Sequence, residues 1–380
     1  MITKLRQFIQ ATVFSAGAMA LAAGTASAAV FSQTNLVSDV PGFAAITDPK
    51  LKNPWGLSFS PTSPFWISDQ GTNTSTLYSV TGAGISKAAL EVAIPTTPSG
   101  PQGPTGQVNN NTSSFLVNTA PASFIFANLN GTISAWNGSA GTTAQVKATT
   151  PGAVYTGLAI GSNASGPLLY AANGAQNRID VFNGSFAPVN LGANAFVNPD
   201  PRLVGLVPFN VAKINDRIYV TYAPPGRDAQ ISAPEGSGAV AIFDTSGNLI
   251  RTLIAGSELA SPWGLTLAPA GFGDFGGDLL VGNFSFAVSE INAFDPVTGA
   301  FLGVISNSAG NPIVNSGLWA LAFGNGGNGG NPNTLYFTAG INGEANGLFG
   351  SLAAVPEPET VVLLGVGLAG LLLARRRVRH

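Results

Sequence analysis

Apolar stretches of four to eight residues recur along the chain, rich in Val, Ile, Leu and Phe, with clusters of Gly, Asn, Pro and Ser between them. Runs of this length bounded by turn residues read as β-strands. Between residues 29 and 354 no stretch keeps apolar residues at helical spacing beyond two turns, so the body is expected to be nearly all β.

The strands recur as a set. The phrase NPWGLSFS at 53–60 returns as SPWGLTLA at 261–268. Aligned on it are Trp55-Gly56-Leu57, Thr105-Gly106-Gln107, Thr156-Gly157-Leu158, Phe209-Asn210-Val211, Trp263-Gly264-Leu265 and Trp319-Ala320-Leu321, at spacings of 50 to 56 residues. A second register follows each phrase: FWISD ending at Asp69, FIFAN at Asn128, LLYAAN at Asn173, IYVTY at Tyr222, LLVGN at Asn283 and LYFTA at Ala339. A third comprises LYSVTG, ISAWNG, IDVFNG, VAIFDTSG, INAFDPVTG and the degenerate GLFGSL. Its Asn-Gly and Asp-x-x-Gly endings supply the positive φ that tight turns require. Six such units, each with three or four strands, predict an all-β, six-bladed β-propeller over residues 29–352, built as one domain.

A single blade cannot cover both its faces, whereas blades stacked around an axis bury each sheet against the next. Glycine in the phrase follows from crowding, because the innermost strands meet near the axis where a side chain does not fit. An open ring would leave unpaired strand edges. The sixth unit has three strands of its own, near 317–323, 334–339 and 347–352, so FSQTNLVSDV at 31–40 is expected to supply its outermost strand.

Composition narrows the chemistry. The chain has 48 Gly and 26 Pro among 380 residues, and only 9% of its residues are charged, against about a quarter in a typical soluble domain. Cysteine is absent and His380 is the sole histidine. Disulfides, thiolate metal sites, a Ser-His-Asp triad, a His-ligated zinc and a His general base are therefore excluded from the body. The body carries ten Lys and Arg against sixteen Asp and Glu, six net negative, and lacks the basic footprint of a nucleic-acid binder.

The two ends read as addresses. Residues 1–28 have Lys4 and Arg6, an apolar run from Ile9 to Ala23 and then Ala26-Ser27-Ala28, the pattern of a signal peptide cut after Ala28 by signal peptidase. At the other end, in the segment 353–380, residues 360–374 form an uncharged apolar stretch read as a transmembrane helix, with Arg375, Arg376, Arg377 and Arg379 beyond it. Basic residues beside a span stay cytoplasmic, which places the body outside. Val355-Pro356-Glu357-Pro358, the apolar stretch and the Arg-rich tail together resemble the PEP-CTERM sorting signal of Gram-negative bacteria that make exopolysaccharide. That resemblance implies processing by a membrane-embedded exosortase. It also implies an inner-membrane-anchored precursor whose product goes to the cell envelope or extracellular matrix.

The phrase and the ends of the second register are expected on one face of the propeller. That face would place Trp55, Phe209, Trp263 and Trp319 around the channel mouth, with Asp69, Asn128, Asn173, Tyr222 and Asn283 nearby. Aromatic rings can stack on the apolar C–H faces of sugars while Asn and Asp bond the hydroxyls. The same aromatics suit better still a plug that closes the channel and caps strands, since aromatics are large core-formers first. The loop APPGRDAQISAPEGSG at 223–238 is the longest insertion within a unit and brings Arg227, Asp228 and Glu235 to that face.

The body resembles a bacterial family of secreted, propeller-like proteins through TNLVSDVPGFAAITDPKLKNPWGLS, FWISDQGTNTSTLY, PTGQV, GFGDFGGDLLVGNF and LYFTAGINGEANGLFG. It implies fold and export but no reaction. The repeat is also similar to NHL-type and lactonase-type propellers in strand pattern. Lactonase-type propellers hold a calcium ion at the starts of the innermost strands, where this chain has Trp, Thr, Thr, Phe, Trp and Trp, which are poor ligands for an ion that takes oxygen. Asp69, with Asn128, Asn173 and Asn283, is the one weak cation candidate; no cofactor is assigned. GNGGNGG at 324–330 matches GxGxxG without a following helix and reads as a loop, as does GFGDFGGDLL with Asp274 and Asp278.

The leading reading is a monomeric, non-enzymatic, exported propeller that binds polysaccharide or a surface protein through its aromatic face. The rival is a cation-dependent, lactonase-like hydrolase or lyase on the channel face. A purely structural matrix protein is the third.

Overall fold

The computed structural model describes residues 30–355. The signal-peptide reading of 1–28 with its cut after Ala28, the sorting residues Pro356, Glu357 and Pro358, and the apolar stretch 360–374 lie outside the described residues. Among the described residues no helix is long and apolar enough to cross a membrane.

Six sheets surround one axis as the blades of a β-propeller. From the innermost strand outward, blade 1 is Pro54–Ser58, Phe65–Asp69, Thr74–Thr81 and Gly84–Ala93. Blade 2 is Pro104–Asn109, Phe124–Asn128, Thr132–Trp136 and Gln145–Thr149. Blade 3 has three strands, Tyr155–Asn163, Gly166–Asn173 and Arg178–Asn183, and its edge is covered by the following loop, where Val189 N donates to Val181 O at 2.8 Å. Blade 4 is Val207–Ile214, Arg217–Ala223, Ala239–Phe243 and Leu249–Ala255. Blade 5 is Pro262–Leu267, Leu279–Asn283, Ile291–Phe294 and Phe301–Val304. Blade 6 takes Leu318–Phe323, Leu335–Ala339 and Leu348–Val355 from the end of the body.

The ring closes as the sequence predicts. Val30–Ser38 pairs antiparallel with Leu348–Val355, from Val30 opposite Val355 to Ser38 opposite Leu348. Ile46–Thr47 then lies parallel on the outside of this strand, so blade 6 presents only a two-residue edge. The segment that follows is fastened to blade 1 through buried Asp48, which accepts from the Tyr78 hydroxyl at 2.6 Å and pairs with Lys87 at 2.7 Å.

Apolar side chains on facing sheets fill the six gaps between blades. Trp66, Leu77 and Val92 of blade 1 meet Phe124 and Phe126 of blade 2. At the closing gap, Phe65, Ile67 and Tyr78 of blade 1 meet Tyr336 and Phe349 of blade 6. This face-to-face burial explains why the strands read as apolar runs rather than alternating ones.

The axis is as crowded as the glycines imply. A Cβ on Gly56 would lie 2.3 Å from Thr105 O of the next blade, and one on Gly264 would lie 2.4 Å from Trp319 O. Side chains stitch neighbouring blades near the axis: Thr338 Oγ1, on the second strand of blade 6, donates to Trp55 O at 2.6 Å, and between innermost strands Thr105 Oγ1 donates to Tyr155 O at 2.8 Å and Asn210 Nδ2 to Trp263 O at 2.8 Å. In every blade the pairing of the first two strands slips at the repeated phrase, leaving Trp55, Thr105, Thr156, Phe209, Trp263 and Trp319 out of register. Such a bulge re-aims the unpaired side chain. The repeated phrase is thus a set of six bulges around the axis.

Candidate functional site

Four of the six bulged residues are aromatic, and they meet. Trp55 stacks on Trp319 with ring centroids 3.5 Å apart and planes at 21°. Trp263 meets both edge-on, at 6.2 and 5.6 Å. Phe209 lies 5.9 Å from Trp319, and Phe284 stacks on the other side of Trp319 at 4.2 Å. Trp263 Nε1 crosses the axis to donate to Thr156 O at 2.8 Å, and Trp319 Nε1 donates to Asn53 Oδ1 at 3.0 Å. All five rings are at most 4% exposed. They form a plug across the channel, with one cavity on each side of it.

In this packing the four aromatics close the channel, the plug that their size as core-formers favours, instead of standing around an open mouth. Phe209 and Trp319 are sealed inside the plug, because the bulges turn them toward one another rather than toward solvent. Trp263 lines the cavity where the innermost strands end. Trp55 lines the one where they begin, termed the entry cavity.

The polar ends of the second strands are also placed differently from the sequence expectation. Asp69, Asn128, Asn173 and Asn283 are fully buried and bonded within their own blades. Asn128 Nδ2 donates to Thr132 Oγ1 at 3.0 Å and Ser134 Oγ at 3.1 Å on the third strand. Asn173 Nδ2 donates to Asp180 Oδ2 at 2.7 Å. Asn283 accepts from Ala260 N at 2.9 Å and donates to Glu258 O at 2.8 Å, holding the loop that leads into its blade. These groups serve strand and loop pairing, each within its own blade. Among the described residues no three His, Cys, Asp or Glu side chains come together as a ligand set. Tyr222 is buried beside a smaller cleft between blades 3 and 4, away from the plug.

Asp69 holds the position that Asn128 holds in blade 2. One oxygen accepts from Thr74 Oγ1 at 3.3 Å and the other has no partner. Burial raises its pKa well above the usual carboxylate range, and the negative charge of Asp48 adds to the rise. A carboxyl raised on folding binds more protons in the native state. Its stabilising contribution is complete below the unfolded pKa and is lost as pH rises toward the folded one. Asp69→Asn, which supplies the neutral amide found in blade 2, is therefore expected to match the parent protein in acid and to melt a few degrees higher at pH 8. Thermal unfolding followed at pH 4 and pH 8 checks this, and an equal difference at both would refute it.

The entry cavity has a volume of about 400 Å³. Trp55, Pro101, Leu129, Val154 and Val207 provide its apolar wall, and Asn53, Gln70, Arg227, Gln230 and Glu344 its polar groups. Arg227 comes from the predicted insertion, in which a short helix Arg227–Ile231 forms. Blade 5 fastens that insertion down, with Ser285 Oγ donating to Ala233 O at 2.6 Å and Phe286 N to Ile231 O at 2.9 Å. The Arg227 guanidinium sits over the plug, 4.0 Å from the centre of Phe284, 4.9 Å from Trp319 and 5.3 Å from Trp55. Such contacts favour a cation over an aromatic face. Burial lowers its pKa, and its ion pair with Glu344 opposes the fall. In that pair Nε donates to Oε2 at 2.9 Å and Nη2 meets Oε1.

Asn53 knits the wall together. Its Nδ2 donates to Gln70 Oε1 and to Glu344 Oε1, each at 2.8 Å, while its Oδ1 accepts from Trp319. Asp228 is exposed on the outside of the helix and does not line the cavity. Glu344, Gln70, Gln230, Asn53 and Phe284 are the site residues that sequence reasoning missed. Asn53 stands inside the repeated phrase and Glu344 is the only acidic residue between 301 and 354; these were the available signals.

The PEP-CTERM protein-sorting motif matches residues 354–377. That signal marks an exported, envelope-sorted protein that is processed by exosortase. A streptogramin B lyase structure aligns over 86% of this chain and 98% of its own with a TM-score of 0.50 and 12% identity, which is a likeness of fold. "Uncharacterized protein L690" of Acanthamoeba polyphaga mimivirus is 28% identical over 336 residues, covering 83% of this chain and 84% of that protein. "Uncharacterized protein R648" of the same virus is 30% identical over 336 residues, covering 83% of this chain and 78% of that protein. With its matching six-bladed body, the chain belongs to the family of protein R648.

Proposed function

We propose that the protein is a binding protein of the cell envelope that holds a glycosyl unit of surface polysaccharide in the entry cavity and catalyses no reaction on it. The observation that carries this reading is the cavity over Trp55, in which an apolar wall faces a small set of convergent donors and acceptors. A largely preformed cleft of a few hundred Å³ with few polar groups is the usual form of a small-ligand site. Gln230 Nε2 and the Arg227 guanidinium are donors for sugar hydroxyls, and the Gln70 and Glu344 oxygens are acceptors. The Arg227–Glu344 pair presents both signs of charge, which suits a neutral, hydroxylated ligand.

Glycan-array screening followed by calorimetry on the bound oligosaccharide tests the proposal. Gln230→Ala removes one donor without touching the plug, and should weaken binding about tenfold, the worth of a single hydrogen bond of roughly 1–1.5 kcal/mol. Binding unchanged in Gln230→Ala and in Arg227→Gln would refute the site. Hydrolysis of a lactone that is lost on chelation would favour the cation-dependent enzyme instead.

A further inference from the structure

We infer that the outer rim of blades 5 and 6 is a lipid-contact surface, held against a bilayer by the segment that follows Val355. Val355 pairs with Val30 on the outermost full strand of blade 6. Four residues, Pro356 to Glu359, then precede the uncharged apolar stretch 360–374 and its arginines. That stretch reads as a membrane span with a cytoplasmic flank. Four residues reach at most about 14 Å, so a bilayer that holds the stretch also holds the Val30–Val355 corner close to its surface.

Strand directions decide which part of the body lies alongside this tether. Val355 is antiparallel to Val30, and Val30 is also bridged in parallel to Ser306, with Phe31 N donating to Ser306 O at 2.9 Å. Going onward from Val355 and going back from Ser306 therefore lead the same way. Going back from Ser306 meets the outermost strand of blade 5, Phe301–Val304, and the turn before it. Phe301 is 42% exposed, Leu302 48% and Val297, in that turn, 68%, while Val355 itself is 40% exposed. Four of the eleven large hydrophobic side chains exposed among the described residues thus follow one stretch of rim.

Apolar residues scattered singly over a surface need no partner, but a run of them beside a membrane tether has one at hand. The tether has already met the entropy of bringing rim and bilayer together, so even a small apolar area suffices. The turn keeps its own charge occupied: Asp295 Oδ1 accepts from Val297 N at 2.8 Å and from Thr298 N at 2.6 Å. Arg251 of blade 4 fixes the turn in place, its Nη2 donating to Pro296 O at 3.2 Å. In blade 6 the third strand runs the same way as the innermost one, so Val355 leaves on the face opposite the entry cavity. Lipid contact at this rim leaves that cavity facing away from the bilayer, and it does not depend on the function proposed for the cavity.

The chain has no cysteine, so one introduced thiol carries a single environment-sensitive label. The full chain is placed in phosphatidylcholine nanodiscs with the label at Leu302→Cys or, as the control, at Val204→Cys, an equally apolar position 83% exposed between blades 3 and 4. Brominated lipid is expected to quench the label at 302 severalfold more than the label at 204, and aqueous iodide to reach 302 less. Val297→Asp puts a charge on the rim at an exposed turn, and should lower the lipid quenching at 302 severalfold while leaving the melting curve unchanged. Equal quenching at the two positions, or a label at 302 as open to iodide as the control, would overturn the inference. Shielding of 302 from iodide without quenching by brominated lipid would overturn it in favour of the chain's own segment 356–374 as the cover. A full chain that does not enter the nanodiscs would overturn it too, by removing the tether.

Discussion

A chain lacking residues 30–38 is expected to lose its cooperative thermal transition and to aggregate. The strand they form is the outermost full strand of blade 6, and its removal exposes the edge of Leu348–Val355 along eight paired positions. Its side chains belong to two interblade cores. Phe31 packs against Phe272 at 4.8 Å between blades 5 and 6, and Leu36 and Val37 fill the gap between blades 6 and 1. Burying each of these three is worth about 1.5–3 kcal/mol. Their combined loss is comparable with the whole stability of a typical domain, about 5–15 kcal/mol. Polar ties go as well, since Ser38 Oγ donates to Gly347 O at 2.7 Å. Circular dichroism melts with light scattering read the result. A peptide of residues 30–40 added in trans should restore the transition by adding the missing strand. A truncated chain that melts like the parent would show that closure carries no such weight.

The second large effect is expected at the plug. Trp319 is fully buried and touches Trp55, Trp263, Phe209 and Phe284. Trp319→Ala should lower stability to urea by about 3–5 kcal/mol, the cost of truncating a large buried aromatic. The stacked pairs and the bond to Asn53 place it toward the upper end. Trp319→Phe keeps a ring and should lose less than half as much. The alanine variant also removes the partition between the two cavities, so a probe confined to one side in the parent should reach both. A loss below 1 kcal/mol would mean that the neighbouring rings collapse to fill the space.

Much of the fold is legible in the sequence because a propeller repeats itself. The spacing of the Trp-Gly phrase, the turn residues ending the third register and the missing fourth strand of the last unit lead to six blades and to the closing strand at 31–40. Val30–Ser38 occupies that place. The glycines of the phrase are equally readable, since Gly56 and Gly264 abut the backbone of the next blade. The site was less legible. Trp55 and Arg227 line the entry cavity, but their partners come from distant parts of the chain: Asn53 reaches Glu344 across 291 positions and Arg227 reaches it across 117. No local pattern announces such pairs. The amides at the ends of the second strands misled for a related reason. Their bonds to the third strand are local, as in Asn128 Nδ2 with Thr132 and Ser134, and these hold the side chains inside the blade, fully buried.

From the sequence alone came the number of blades, the manner of closure and the sorting signal, because strand period, turn chemistry and terminal motifs are properties of neighbouring residues. Only the tertiary structure decided that the channel is plugged and that two unlike cavities flank the plug. Those outcomes depend on where six bulged strands aim their side chains as they converge on one axis, and a bulge changes that aim without changing the apolar pattern along the chain.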